Sequence, residues 1–152
     1  MMLRAAGAAS LAVISAMLVT ASGARGELAA FEVRDDAVAE PLAGLVGNAA
    51  RGRDIIVDRR KGNCLICHAI ASIDAPFQGE IGPLLAGVAR RLGEGRIRLR
   101  LIDQSLINPQ TIMPPYYRTT GLKDVAPAYR GKPALSAQEI EDVVAYLVTL
   151  KE

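Results

Sequence analysis

Nine consecutive residues, Gly62 to Ile70 (GNCLICHAI), contain both cysteines and the single histidine of a 152-residue chain: Cys64, Cys67 and His68. Three chemistries use two thiols and one imidazole this close together. A thioredoxin-like redox pair belongs in a βαβ setting, and no segment here alternates like a strand for long. A structural zinc site needs four ligands, and the chain offers three, all local. The third chemistry is covalent attachment of haem c, for which Cys-x-x-Cys-His is the signature. On one helical turn both sulfurs can reach the two vinyl groups of one porphyrin, and His68 then lies under the iron. We therefore read Cys64 and Cys67 as cofactor-binding thioethers and His68 as an iron ligand, with a Cys64–Cys67 disulfide as the plain alternative.

Axial ligands of haem iron come from His, Met, Cys or Tyr. No second histidine exists, and both cysteines are used. Of four methionines, Met1, Met2 and Met17 fall in the N-terminal leader described below. That leaves Met113, in the proline-bounded TIMPP loop, as the expected second iron ligand; filling a gap in the core is its ordinary alternative. Lys123, Tyr116 and Tyr117 stand behind it as substitutes.

The elements that must position these residues read as helices. Asn48 caps a predicted helix running to about Arg60, with Gly52, Ile55 and Ile56 on one face. Gly52 is a poor helix residue, so it marks a close approach by another backbone, expected near Val144. Gly62 is read as the end of that helix. A second helix is expected from Arg96 to about Ile107. Residues 136–150 (SAQEIEDVVAYLVTL) start with a capping box, Ser136 and Glu139, and carry an apolar face of Ile140, Val143, Val144, Leu147 and Leu150. Between them, 108–117 and 118–135 are irregular. Loops this long are uncommon in a compact domain unless they line something. With six aromatic residues in all, the polypeptide is short of material to fill its own core, which suits a large apolar cofactor. Arginines 90, 91, 96, 98 and 100 fit a solvated helix face better than contacts to haem propionates.

The first 26 residues combine Arg4, an apolar run from about Leu11 to Ala21, and small residues after it. They read as a secretory signal peptide cleaved after Ala24 or Gly26, the run being too short to span a bilayer; an uncut anchor helix is the alternative. Removing them leaves 16 basic and 16 acidic residues. A neutral mature chain is not a nucleic-acid binder by charge, and no membrane span remains.

The order of these parts resembles a class I cytochrome c over residues 48–152: helix, Cys-x-x-Cys-His, Gly-Pro turn, Met-Pro loop, C-terminal amphipathic helix. The resemblance implies an all-α fold of short helices and long loops around one covalent haem c. It also suggests that Gly82-Pro83 supplies a backbone carbonyl to His68, an ordinary turn being the alternative. The stretches MPPYYRTTGL and APAYRGKPAL, with the arm around DDAVAEPLAG, are similar to the SoxX family, the monohaem subunits of SoxAX cytochromes. That likeness implies a periplasmic heterodimer with a SoxA-type cytochrome. Its activity is that of an L-cysteine S-thiosulfotransferase, joining thiosulfate to a cysteine of a SoxYZ-type carrier and passing electrons to a downstream cytochrome. No catalytic residue is expected on this chain, since a closed iron and the absence of a spare Cys or His leave electron transfer as its part. Residues 27–47 and 114–135 are expected to dock the partner through Leu28, Phe31, Val33, Leu42, Leu45, Tyr116, Tyr117, Leu122, Val125 and Tyr129. A free-standing electron shuttle is the rival function, and a haem-based ligand sensor a weaker third.

Overall fold

A computed structural model describes residues 28–152. The expected signal peptide, residues 1–26, lies outside the described residues. Four α-helices appear: α1 Ala49–Val57, α2 Val88–Leu92, α3 Glu94–Asp103 and α4 Ala137–Leu147. Single 3-10 turns lie at Leu42–Gly44, Cys64–Ile66, Gln104–Leu106 and Pro127–Tyr129. Among the described residues extended pairing is limited to one isolated bridge, Arg34 to Ala37. The all-α expectation, with short helices and long loops, is met. No helix among the described residues is long and apolar enough to cross a membrane.

The core is built on the crossing of α1 and α4. Asn48 caps α1, its side chain accepting from Arg51 N, and Ser136 and Glu139 form the expected capping box on α4. The helices meet at Gly52, where a Cβ would lie 1.9 Å from Asp142 O and 3.0 Å from Tyr146 Cβ. Only glycine lets the backbones approach so closely. The predicted crossing near Val144 is therefore observed, with Asp142 and Tyr146 on either side of it. Asp142 fastens the same junction, accepting from Asn48 N at 2.7 Å and from Arg51 Nε at 2.7 Å. Burial opposes its charge, but the bonds from Arg51, Asn48 and Gln138 outweigh burial and hold the carboxyl below its usual range.

Three helix boundaries need correction. Helix α1 stops at Val57, not Arg60. Asp58 turns the chain by accepting from Arg60 N through its side chain and from Lys61 N and Asn63 N through its carbonyl. Gly62 does not end the helix; it packs back on it, a Cβ there lying 2.7 Å from Ile55 O. The helix expected from Arg96 is α3, which starts at Glu94 and gives way to a 3-10 turn at Gln104.

The arginine run is not one solvated face. Arg98 is fully buried. Its guanidinium bonds Glu141 on α4 at 2.9 Å, Glu94 at 2.6 Å and the carbonyl of Val38 at 2.8 Å. Burial works against its charge, and the two carboxylates prevail and raise its pKa further. Glu141 also accepts from Leu42 N at 2.9 Å. This pair joins α3, α4 and the N-terminal arm. The arm is thus part of the body: Val38 and Leu42 are core residues, and Tyr117 Oη accepts from Ala29 N at 2.8 Å. Leu42, Tyr116 and Tyr117 are buried and leave the expected docking surface, whereas Phe31, Val33 and Tyr129 stay exposed.

Candidate functional site

The cysteine motif begins with a reversal. Asn63 adopts a left-handed conformation (φ 47°), one that a short polar side chain tolerates, and directs the chain into the turn Cys64–Ile66. The amides of Cys67 and His68 both donate to Cys64 O, at 3.1 and 2.9 Å. The motif thus forms the single turn expected from its spacing. Lys61, just before it, is ion-paired with Glu139 at the start of α4, which ties the motif to the helix crossing.

After His68 the chain loops out and returns alongside the motif. Gln78 holds the loop shut, accepting from Ile70 N at 2.6 Å and donating to Ile73 O at 2.7 Å. On the return, Gly79 N donates to Leu65 O and Gly82 N to Cys67 O, both at 2.8 Å. The contact is too close for side chains: a Cβ on Gly79 would lie 2.0 Å from Ile66 O, and one on Gly82 2.3 Å from His68 Cε1. This packing brings Pro83 O to 2.7 Å from His68 Nδ1. A carbonyl can only accept, so Nδ1 carries the proton, and in the neutral ring Nε2 keeps the lone pair. The Gly82-Pro83 segment therefore supplies the carbonyl acceptor that orients the histidine and is not an ordinary turn.

Cys64, Cys67, His68 and Met113 all line one cleft of about 720 Å³. That is within the roughly 300–1,000 Å³ of cofactor sites, and native cores otherwise leave few voids larger than a water molecule. Its walls are mostly apolar, with Ile56, Leu85, Val88, Ile97, Leu101 and Leu147 contributing. Met113 reaches it from a loop anchored to α3 by Tyr116 N to Leu101 O and Tyr117 N to Ile102 O, each 3.2 Å. Its own amide donates to Thr111 Oγ1 at 3.1 Å. Of the substitute ligands only Tyr116 lines the cleft, and its hydroxyl donates to Gly62 O at 2.9 Å. Tyr117 faces the arm, and Lys123 is exposed.

The donor set fits a covalent porphyrin better than a bare ion. Among the described residues no three His, Cys, Asp or Glu side chains are grouped to hold a metal. Burial pushes the Cys64 thiol up to about 11, against a smaller opposing effect of the neighbouring Tyr116 hydroxyl. A thiol held neutral at ordinary pH is unlike the low-pKa thiolate of a redox cysteine. Burial, and then the neighbouring cysteines, also raise the Tyr116 phenol, which stays protonated. Sequence reasoning missed Gln78 and the role of Gly79; the only local trace was two glycines three residues apart beside a proline.

Residues 49–151 match the family model for cytochrome c. A crystal structure of SoxXA from P. pantotrophus is similar at 36% identity and a TM-score of 0.74, over 80% of this chain and 95% of that one. Among curated proteins none matches. The cytochrome c match implies haem c as the cofactor and electron transport as its use, and the likeness to SoxXA bears out the class I fold. A single turn presenting Cys64, Cys67 and His68 to an apolar cleft that the Met113 loop also lines agrees with both findings: the chain belongs to the cytochrome c family and, within it, to the SoxX-type cytochromes.

Proposed function

We propose that this chain is the electron-accepting monohaem subunit of a SoxAX-type complex. Cys64 and Cys67 would hold one haem c by thioethers, and His68 and Met113 would ligate its iron. The observation that carries this reading is the convergence of these four side chains on one cleft, with His68 Nδ1 committed to Pro83 O and Nε2 left for a metal. A bound haem c supplies one-electron acceptance. The protein's own part is to orient the imidazole, to exclude water with the aliphatic walls and to hold the Met113 loop against α3. A methionine ligand raises the reduction potential, which suits an acceptor.

The domain plan that goes with it is a signal peptide over 1–26, an arm over 27–47 and a cytochrome domain over 48–152. Export implies a periplasmic location. The partner is a SoxA-type cytochrome, and the pair acts as an L-cysteine S-thiosulfotransferase on a SoxYZ-type carrier. Joining a carrier thiol to thiosulfate forms one sulfur–sulfur bond and releases one proton and two electrons. One haem takes one electron at a time, so this chain discharges to a downstream cytochrome between transfers. It holds no further cysteine or histidine to carry the sulfur chemistry itself. Phe31, Val33 and Tyr129 are exposed aromatic and apolar residues, the composition that interface cores favour.

The test is purification of the native chain through salt, followed by turnover with thiosulfate and carrier. A second haem polypeptide should co-elute, and Phe31→Glu with Val33→Glu should weaken that association while leaving the haem spectrum unchanged. A chain that stays monomeric beside a SoxA-type subunit, yet accepts its electrons at diffusive rates, would establish the free-standing shuttle instead.

A further inference from the structure

Among the described residues, a single hydrogen bond joins the Met113 loop to the cysteine motif: Tyr116 Oη donates to Gly62 O at 2.9 Å. Tyr116 is buried, and it lines the cleft along with Cys64 and Met113. It stands three residues after Met113, and Gly62 stands two residues before Cys64. Pro114 and Pro115 fill the gap on the methionine side. Their rings fix φ and leave no N–H to be paired elsewhere. Met113 and Tyr116 therefore move as one unit.

Both ends of this bond are held. Tyr116 N donates to Leu101 O on α3 at 3.2 Å, and Tyr116 O accepts from Leu135 N, just ahead of α4, at 3.0 Å. The three polar groups of this residue thus bond three separate segments. At the other end Gly62 packs on α1, where a Cβ would lie 2.7 Å from Ile55 O, and 3.3 Å from Cys64 Sγ. Lys61, before it, is paired with Glu139. Among the described residues no other group donates to Gly62 O. Tyr117 offers the contrast. It is also buried, and its hydroxyl accepts from Ala29 N at 2.8 Å, but it faces the arm and does not line the cleft. Two adjacent buried tyrosines, each with its hydroxyl bonded, serve different parts of the molecule.

We propose that Tyr116 is a positioning residue: through Gly62 O it ties the Met113 loop to the cysteine motif and so keeps the methionine on the iron. The inference rests on the ligand reading above and deepens it. With the loop closed, removing the hydroxyl leaves Gly62 O buried without a donor. With the loop open, water reaches that carbonyl. Loss of the hydroxyl therefore costs the closed form more than the open one, and the methionine leaves more readily.

The experiment is imidazole titration of the ferric, haem-loaded protein, read as loss of the methionine–ferric charge-transfer band, with Tyr116→Phe and Tyr117→Phe alongside. Imidazole takes the sixth position only where the methionine has left, so its apparent affinity reports the population of the open loop. One lost hydrogen bond should raise that affinity about 2- to 10-fold in Tyr116→Phe. Tyr117→Phe should lower the thermal midpoint comparably and leave the affinity at the wild-type value. An unchanged affinity in Tyr116→Phe, or an equal rise in Tyr117→Phe, overturns the proposal. If Tyr116→Phe yields no haem-loaded protein, amide exchange in the wild type decides. Saturating imidazole should then speed exchange at Leu135, whose partner is Tyr116 O, and unchanged protection there overturns the proposal. Failure of the ligand reading looks different and takes the proposal with it, since the wild type would then lack the band before imidazole is added.

Discussion

Gly82→Ala tests the histidine's support most sharply. A Cβ at Gly82 would lie 2.3 Å from His68 Cε1, 2.6 Å from Nδ1 and 2.8 Å from Nε2. Real Cβ contacts do not fall below 3.0 Å, so ring and loop must separate by at least about 0.7 Å. The bond from Nδ1 to Pro83 O is 2.7 Å long. A displacement of that size takes it outside the usual hydrogen-bond range. Losing such a partner of a metal-bound histidine costs about 10–100-fold in metal affinity, or roughly 1.4–2.7 kcal/mol. With His68 ligating iron as proposed, iron and protons would compete for the same imidazole nitrogen. A 10–100-fold weaker iron bond therefore raises the pH at which acid displaces His68 by about one to two units. The assay is acid titration of the haem-loaded protein, followed in its visible spectrum. The thioethers do not depend on this glycine, so the haem should remain attached. An acid midpoint in Gly82→Ala equal to that of the wild type would refute the argument that the 79–83 segment fixes the imidazole.

Met113→Ala should abolish the methionine–ferric charge-transfer band and lower the reduction potential; an unchanged spectrum would reassign the sixth ligand, with Tyr116 the substitute that lines the cleft. Gly52→Ala gains about 1 kcal/mol of helix propensity but must part α1 from α4, since its Cβ would lie 1.9 Å from Asp142 O. With that Cβ about 1.1 Å short of the 3.0 Å that real contacts keep, overpacking costs roughly 1–3 kcal/mol or more, so the thermal midpoint should fall, while exposed Arg53→Ala should not change it; a Gly52→Ala protein as stable as wild type would contradict the crossing. Asp142 is held below the usual carboxylate range by Arg51, Asn48 and Gln138 in spite of burial. The stability it adds is complete above about pH 4 and is lost as the pH falls below that, through its folded pKa. The stability gap between wild type and Asp142→Asn, measured by denaturant unfolding, should therefore narrow from pH 5 to pH 2.5, and a constant gap would contradict the assignment.

Much of the site is written in short spacings. Cys64, Cys67 and His68 stand out in five positions, Met113, proposed by elimination, lines the same cleft, and the capping box at Ser136 marks the start of α4 to the residue. Gly52 is legible because a glycine inside a helix needs a reason. What escaped depends on partners distant in the chain. Arg98 looks like any other arginine of its run until Glu141, 43 residues away, meets it in the core. Gly62 looks like a helix stop, yet the stop is made by Asp58 collecting three amides. Tyr116 and Tyr117 look like interface aromatics, but their hydroxyls find Gly62 O and Ala29 N, and burial follows. The N-terminal arm reads as an appendage because its anchors, Val38 and Leu42, are two apolar residues without periodic context. Its role in the core shows only when Arg98 and Glu141 are seen holding its backbone.

The most direct measurement of the central claim is the intact mass of the denatured native protein, with peptide mapping across the motif. The account predicts a chain beginning after Ala24 or Gly26, heavier by one haem, with the haem on the peptide that contains Cys64 and Cys67. Free thiols at both cysteines in protein matured in its own compartment, or a mass without haem, would contradict it.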